Sequence, residues 1–400
     1  MKILYISYNG LMEPLFQSQG MPYIMNARRG GYDFCLLTFE FVENTGKHNQ
    51  AFLTMRDRLS QAGIVWRNLR FHRGPAFIAK IYDLLAGVAA SFILSARLRP
   101  DAIQARGLFS ALVAIPVSFI IGKPLIFDTR SKLSEAYAIS GKWKRGGATS
   151  KLMNFLEERC LKSAKAIIVE TTDHKKEVED LLSGNNMTKP IEVIPCCVDL
   201  DRFKCAETVQ RRDWEFTISY LGSLSGWYCL KETIAFFKKV NEELPGSKMA
   251  FLTKGDPGAI LEYIKESKLP EDSVKFFDLA PDMVPHYLAA SSAGIMFKYP
   301  DQRLSSFPVK IGEYLASGIP VIINHGTGDV EKFILGNNVG VAIDEFSEEA
   351  FKRGVSAILS LSKEKDIRER CLSAARKLSA ENGAQRYMKI YELIDKGMAF

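Results

Sequence analysis

The chain is short of the residues from which many active sites are built. It has five histidines, His48, His72, His174, His286 and His325, and they show no metal-ligand spacing. Its seven cysteines (Cys35, Cys160, Cys196, Cys197, Cys205, Cys229, Cys371) form no C-x-x-C pair. An odd, scattered set of this kind, behind a start that does not read as a secretion signal, points to a reducing cytoplasm. No G-x-G-x-x-G follows the first apolar run, no G-x-x-x-x-G-K-[ST] occurs, and there is no G-x-S-x-G elbow. These absences argue against a dehydrogenase, a P-loop enzyme and a hydrolase built on a nucleophile elbow.

Long apolar runs are lacking as well. The longest uncharged stretch, Gly107 to Gly122, has 16 residues with Pro116 inside it, too short to span a bilayer. Ala76 to Leu98 is apolar but carries Lys80 and Asp83, and reads as a core helix before an interfacial one. The expectation is a soluble cytoplasmic protein, peripheral at most. No Lys/Arg block is dense enough to suggest nucleic acid.

What is present is uneven charge and strict alternation. Residues 51–150 hold 15 Lys/Arg against 5 Asp/Glu, a local +10, whereas residues 201–400 hold 27 against 28. A basic half attracts phosphates or an anionic leaflet. Short apolar runs, "KILYIS", "FCLLTF", "GIVWRNL", "DAIQA", "PLIFD", "AIIVE" and "IEVIP", are separated by helix-length segments. A polar connection near 197–213 interrupts them, and the pattern restarts with "TISYLG", "KMAFLT", "VKFFD", "AGIMF", "PVIIN" and "VGVAI". Such alternation predicts parallel sheets with helices on both faces. Two doubly wound domains are expected, 1–200 and 201–378, with a closing helix at 379–400. Ligands of such sheets bind at the carboxyl ends of the strands.

One stretch of the second half is chemically specific. In "SSFPVKIGEYLASGIPVI", Ser305 to Ile322, a lone acid sits in a short apolar helix between Pro308 and Gly318. Ser306 is a candidate N-cap and Gly318 fits a left-handed helix end. The free N–H groups at the helix start make an anion site that Lys310 would reinforce. Glu313, three residues on, shares its side of the helix, and a carboxylate can accept both hydroxyls of a sugar diol. A solvated Lys–Glu pair is the plain alternative. "ISYLGSLSGWYCL" runs a strand into Gly222-Ser223 and Gly226, a turn that lets backbone approach phosphate or merely joins strand to helix. Lys254, after "AFLT", faces the same region or solvent. The triplet Asp199-Leu200-Asp201 has the form of a metal-binding D-x-D, but it lies in the linker, far from any phosphate loop.

Taken together, these segments resemble family-4 retaining glycosyltransferases. "SSFPVKIGEYLASGIPVI" resembles their S-P-x-K-x-x-E-Y-L-A-x-G-x-P-V-I segment, "IPCCVDLDRF" their I-P-x-G-V-D-x-x-x-F linker, and "YLGSLSGWY" their first phosphate loop. "ENGAQRYMKIYELI" is similar to the closing helix that crosses back to the first domain. The resemblance implies the GT-B fold, two Rossmann-like domains facing across a cleft. It also implies transfer of a sugar from a nucleotide sugar to a glycan or lipid-linked acceptor, without a metal or other cofactor. It makes Glu313 the ribose ligand and sets Lys310, Gly222 and Ser223 at the diphosphate, with Ser305 and Ser306 in the donor site. Departures are visible. Ser305 stands where many members have a second glutamate, and Ser223 and Tyr228-Cys229 where many have Arg and Lys-Gly. Neutralisation then falls to Lys310, Lys254, Lys231 or helix N-termini. Asp128 and Arg130 occupy the neighbourhood of a histidine usual near the donor sugar, and are the first-domain candidates for contact with sugar or acceptor. A nucleotide-sugar epimerase and a non-catalytic sugar-nucleotide-binding subunit are the alternatives. The basic first half, with Ala76–Leu98 and Lys142-Trp143-Lys144-Arg145, suggests reversible binding to an anionic membrane surface at its cytoplasmic face.

Overall fold

The computed structural model describes residues 1–46, 48–74, 76–130, 132–139, 143–207, 216–224, 228–299 and 306–397. Two parallel sheets organise the chain. The first is made of β1 (Lys2–Ser7), β2 (Asp33–Glu40), β3 (Val65–Arg70), β4 (Ala102–Arg106), β5 (Leu125–Arg130), β6 (Ala166–Val169) and β7 (Ile191–Val193), in the order β3-β2-β1-β4-β5-β6-β7. The second is made of β8 (Thr217–Leu221), β9 (Lys248–Leu252), β10 (Val274–Phe277), β11 (Ala293–Met296), β12 (Val321–Asn324) and β13 (Gly340–Ile343), in the order β10-β9-β8-β11-β12-β13. Every strand corresponds to one of the apolar runs. Central strands such as AIIV of β6 and VIIN of β12 are buried along their whole length, as parallel strands covered by helices on both faces must be. The edge strand β3 is partly exposed and carries Arg67 and Arg70, charges that discourage further pairing. Strand order reverses between β1 and β4 and between β8 and β11, so each sheet has one switch point at which its strand ends part.

The chain forms two compact units. The first comprises Met1–Ala138, Trp143–Pro195 and Ala380–Phe400, and the second is essentially Cys196–Ser379. The closing helix, Ala380–Asp395, thus belongs to the first unit. It is tied there by polar contacts as well as packing. Tyr387 donates its hydroxyl hydrogen to Asp128 Oδ2 at 2.6 Å, Tyr391 donates to Gln104 Oε1 at 2.5 Å, and Arg386 donates to the Val193 carbonyl at 2.7 Å. The first two acceptors are side chains of sheet strands buried from water, and burial pushes both phenol pKa values far up, so these hydroxyls stay protonated donors. The helix Ala76–Leu98 departs from the expectation of a core helix: one side packs inward, while Phe77, Ile81 and Leu85 are exposed.

The Tyr387–Asp128 bond supports a direct test. Tyr387→Phe leaves the ring in place and removes one donor from a buried carboxylate. The expected loss is about 1–3 kcal/mol of unfolding free energy, read by chemical denaturation. An unchanged denaturation midpoint would show that the bond does not hold the helix.

Candidate functional site

The helix Val309–Ala316 is set between two local signals. Pro308 takes the N-cap position with φ −65° and ψ 139°, and no side chain caps the first turn. Ser306 therefore does not serve as the cap, because the boundary lies at Pro308. At the other end Gly318 (φ +70°) donates to the Leu315 carbonyl and Ile319 to that of Tyr314, the paired bonds of a Schellman ending.

Tyr314 fixes this helix to the sheet. Its hydroxyl accepts the Leu221 N–H at 2.8 Å and donates to the Ile295 carbonyl at 3.2 Å, joining the ends of β8 and β11 at the switch point. The ring lies flat against Gly294, where any Cβ would overlap it. Directly after Leu221 the chain turns at Gly222, with φ +114°. A Cβ on Gly222 would stand 3.1 Å from Lys310 Nζ, so glycine both allows the turn and leaves room for the ammonium.

Lys310 is 5% exposed, and among the described residues its Nζ has no hydrogen-bond partner. What surrounds it is aromatic: Nζ lies 3.7 Å from the ring centroid of Tyr228 and 4.8 Å from that of Tyr220. Ring faces attract a cation but accept no hydrogen bond of ordinary strength. Burial pushes the Lys310 pKa down to about 7, against the opposing pull of Glu313. Glu313 is also buried; burial raises its pKa, and Arg202, with Nη1 at 3.9 Å from Oε1, and Lys310 oppose the rise. The end of β8 thus holds a buried cation lacking an acceptor beside a buried acid met only at long range. An incoming anion with a neighbouring diol would satisfy both groups.

The other expected residues are placed as follows. Ser223 is exposed, and its carbonyl accepts the Tyr220 hydroxyl at 2.5 Å. Lys254 is exposed on the turn after β9, and Lys231 is exposed at the start of Leu230–Glu243. Ser306 is half-buried, its carbonyl 3.5 Å from Lys298 Nζ. Ser305 and Gly226 lie outside the described residues. Asp199 Oδ1 accepts the Asp201 N–H at 3.2 Å, and Asp201 pairs with Lys204 at 2.7 Å, so the D-x-D triplet shapes the linker. Among the described residues no cluster of three or more His, Cys, Asp or Glu could hold a metal ion.

In the first unit Asp128 is fully buried, between Arg106 Nη1 at 3.3 Å, Arg130 Nη1 at 3.7 Å and the Tyr387 hydroxyl. Arg130 has φ +56° at a register shift of β5 against β6, and it pairs with Glu170 at 2.7 Å. The Asp128 carboxylate is enclosed by its own chain, with Oδ1 left without a hydrogen-bond partner among the described residues. Sequence reasoning missed Tyr220, Tyr228 and Arg202. Tyr228 was read only as a missing lysine, and its π-face role depends on an ammonium 82 positions away (310 − 228). Arg202 belongs to the quoted linker, and only folding brings it to Glu313.

Residues 204–378 match the family model described as "Glycosyl transferases group 1". No curated protein matches the chain. Among solved structures it is similar to the sucrose-phosphate synthase of Thermosynechococcus elongatus, with a TM-score of 0.70 at 15% identity, covering 100% of both chains. It is similar to Anabaena HepE, solved in complex with UDP and glucose, with a TM-score of 0.68 at 15% identity over 98% of this chain and 99% of the other. The lipopolysaccharide outer core galactosyltransferase WaaB gives a TM-score of 0.62 at 12% identity over 98% and 99%. At these identities the likeness shows the fold, which is the GT-B class that the sequence motifs imply.

The unpaired ammonium has a consequence for stability. A lysine whose pKa falls from 10.5 to about 7 on folding binds fewer protons folded than unfolded between those values. Its penalty is complete below pH 7 and fades as pH rises toward 10.5, so this group makes stability increase with pH across that window. Lys310→Met removes the penalty. It is expected to stabilise the second unit by roughly 1–3 kcal/mol at pH 7 and to flatten that pH slope, measured by denaturation at several pH values. A destabilised variant with an unchanged slope would contradict the assignment.

Proposed function

We propose that the chain is a retaining glycosyltransferase that uses a nucleotide-sugar donor and a glycan or lipid-linked acceptor, in surface polysaccharide or glycoconjugate synthesis. The observation that carries this reading is the buried Lys310 ammonium without an acceptor, next to Glu313 at the switch point of the second sheet. A diphosphate supplies the oxygens that Lys310 lacks, and the uncapped N–H groups after Pro308 add fixed dipoles on the same side. Glu313 lies roughly 6 Å along the helix from Val309, at about 1.5 Å per residue, within reach of the adjoining ribose. HepE is a protein of this fold solved with UDP and glucose, which favours a nucleotide sugar as the ligand class here.

In this mechanism the bond from the anomeric carbon to the leaving phosphate oxygen breaks, and the acceptor oxygen bonds to that carbon on the same face. The acceptor proton passes to the departing phosphate oxygen, so no separate base is required. Lys310 and the helix dipoles stabilise negative charge that grows as the bond breaks, the kind of preorganised term that contributes most to catalysis. Gly222 and Ser223 offer backbone to the diphosphate, and Lys254 and Ser306 complete the donor side. Asp128 acts as a positioning residue for Arg130, which is the first-unit candidate for contact with sugar or acceptor. The reaction needs no metal. We place the protein in the cytoplasm, with its basic first unit at the inner face of an anionic membrane.

Two measurements test the donor site. Glu313→Gln keeps shape and removes charge from a pair of charge-assisted bonds, each worth about 1.5–3 kcal/mol. Calorimetry with the nucleotide sugar that binds wild type is expected to show affinity falling by about 10-fold or more with an unchanged melting temperature, whereas equal affinity removes the ribose assignment. Transfer activity is expected to persist after exhaustive chelation. Loss rescued by manganese or magnesium would restore a role for Asp199 and Asp201, and donor binding without transfer to any acceptor would favour a binding subunit.

A further inference from the structure

The helix Ala76–Leu98 is apolar on its outer side as well as its inner one. Its most buried row, Ala79, Asp83, Gly87, Ser91 and Ser95, is small or polar and spaced four apart, and Leu84, Val88, Phe92 and Leu98 beside that row pack on the core. Asp83 is buried, accepting the Tyr8 hydroxyl at 2.9 Å and facing His72 Nδ1 at 2.6 Å. Gly87 lets the helix come close: a Cβ there would stand 2.8 Å from Phe39 and 3.0 Å from Val113. The outward side carries Phe77, Ile78, Ile81, Tyr82, Leu85 and Ile93, with Phe77 75% and Leu85 65% exposed. A helix packed on a soluble core ordinarily carries charged and polar residues on its outer face.

The apolar surface continues sideways. The neighbouring helix Leu108–Ile121 contains no charged residue and exposes Phe119 (86%) and Ile120, and next to it Ala148–Ser163 exposes Leu152 and Phe155. Scattered single apolar side chains need no explanation, but a stripe along a 23-residue helix joined to two neighbours marks a contact surface. Its border is basic. Arg97, Arg99, Lys151 and Arg159 are exposed; between residues 60 and 125 the only acids are Asp83, which is buried, and Asp101, which is exposed, and Glu158 of the third helix pairs with Lys162.

From this we infer that the first unit docks on an anionic bilayer through this face, with Ala76–Leu98 lying in the membrane plane and Phe77, Ile81 and Leu85 entering the acyl boundary. This deepens the membrane part of the proposed function and is independent of the donor site. The helix is long and apolar enough to cross a bilayer. It lies flat instead, because its inward side is committed to the fold through Asp83 and Gly87. An anionic leaflet complements the basic border. A second copy docked through the same face would bring two sets of cations together, which disfavours self-association.

The test uses the full chain with phosphatidylcholine vesicles, with and without phosphatidylglycerol, at low and high salt. Wild type is expected to sediment with the anionic vesicles at low salt. Ile81→Gln combined with Leu85→Gln, which changes no charge, is expected to lower the bound fraction at least about fivefold while leaving the melting temperature and nucleotide-sugar affinity unchanged. In Phe77→Trp, whose fold does not depend on that pair, indole emission is expected to shift to the blue and to be quenched by brominated lipid. Absence of vesicle binding, binding unaffected by the double substitution, or an indole that brominated lipid does not quench overturns the inference. So does a dimer in sedimentation equilibrium that the double substitution dissolves, since the face would then cover a second copy. Failure of nucleotide-sugar binding alone counts against the donor reading and leaves the membrane result standing.

Discussion

The second unit is arranged around a buried ammonium that has no hydrogen-bond acceptor among the described residues. Lys310 Nζ rests on the rings of Tyr228 and Tyr220, and Gly222 supplies the space above it. Cation–π attraction offsets part of the desolvation and leaves the rest as a standing penalty, visible in the depressed Lys310 pKa of about 7. A group held in this way interacts strongly with any anion that reaches it, since water no longer competes for its protons. The surrounding design keeps that geometry rigid. Tyr314 joins the helix to the ends of β8 and β11, and Gly294 admits its ring. The left-handed turn at Gly318 ends the helix, and Arg368 Nη1 donates to the Ser317 carbonyl at 3.3 Å.

The first unit also buries charge, but among partners of both signs. Asp128 is surrounded by Arg106, Arg130 and Tyr387, and Arg130 is shared with Glu170. Tyr387 and Arg106 meet Asp128 Oδ2, whereas Oδ1 has only Arg130 Nη1 at 3.7 Å and no hydrogen-bond partner among the described residues; through Tyr387 the network attaches the last helix of the chain to a sheet formed from its first half. The first unit leaves one carboxylate oxygen of Asp128 without a hydrogen-bond partner among the described residues, whereas the second leaves a cation, Lys310 Nζ, and a cation is the group that an anionic donor would complement.

Much of the fold could be read from the sequence, because parallel strands buried on both faces appear as short continuous apolar runs. All strands in both sheets correspond to such runs, from "KILYIS" to "VGVAI". The ends of Val309–Ala316 were legible for a similar reason, since Pro308 and Gly318 impose backbone geometry by themselves. Features that depend on distant partners were not legible. The burial of Asp128 depends on Tyr387, 259 residues away, and Tyr228 reads as a lost cation until Lys310 is seen beneath its ring. The capping expectation for Ser306 failed because a cap requires the boundary residue itself, which is Pro308. The orientation of Ala76–Leu98 was hidden because large apolar residues lie on both its packed and its exposed sides, which gives a weak periodic signal.

The central claim, that Lys310 waits for a diphosphate, is tested most directly by proton linkage. A nucleotide sugar has no titrating phosphate near neutrality, so protons exchanged on binding report on the protein. With the tightest binder among uridine, guanosine, adenosine and thymidine diphosphate sugars, calorimetry in buffers of different ionisation enthalpy counts them. A diphosphate beside Lys310 raises its pKa from about 7. Binding is then expected to take up no proton on this account near pH 6, where the ammonium is already charged, and approaching about one proton near pH 8.5. Binding without proton uptake across that range would place the diphosphate elsewhere.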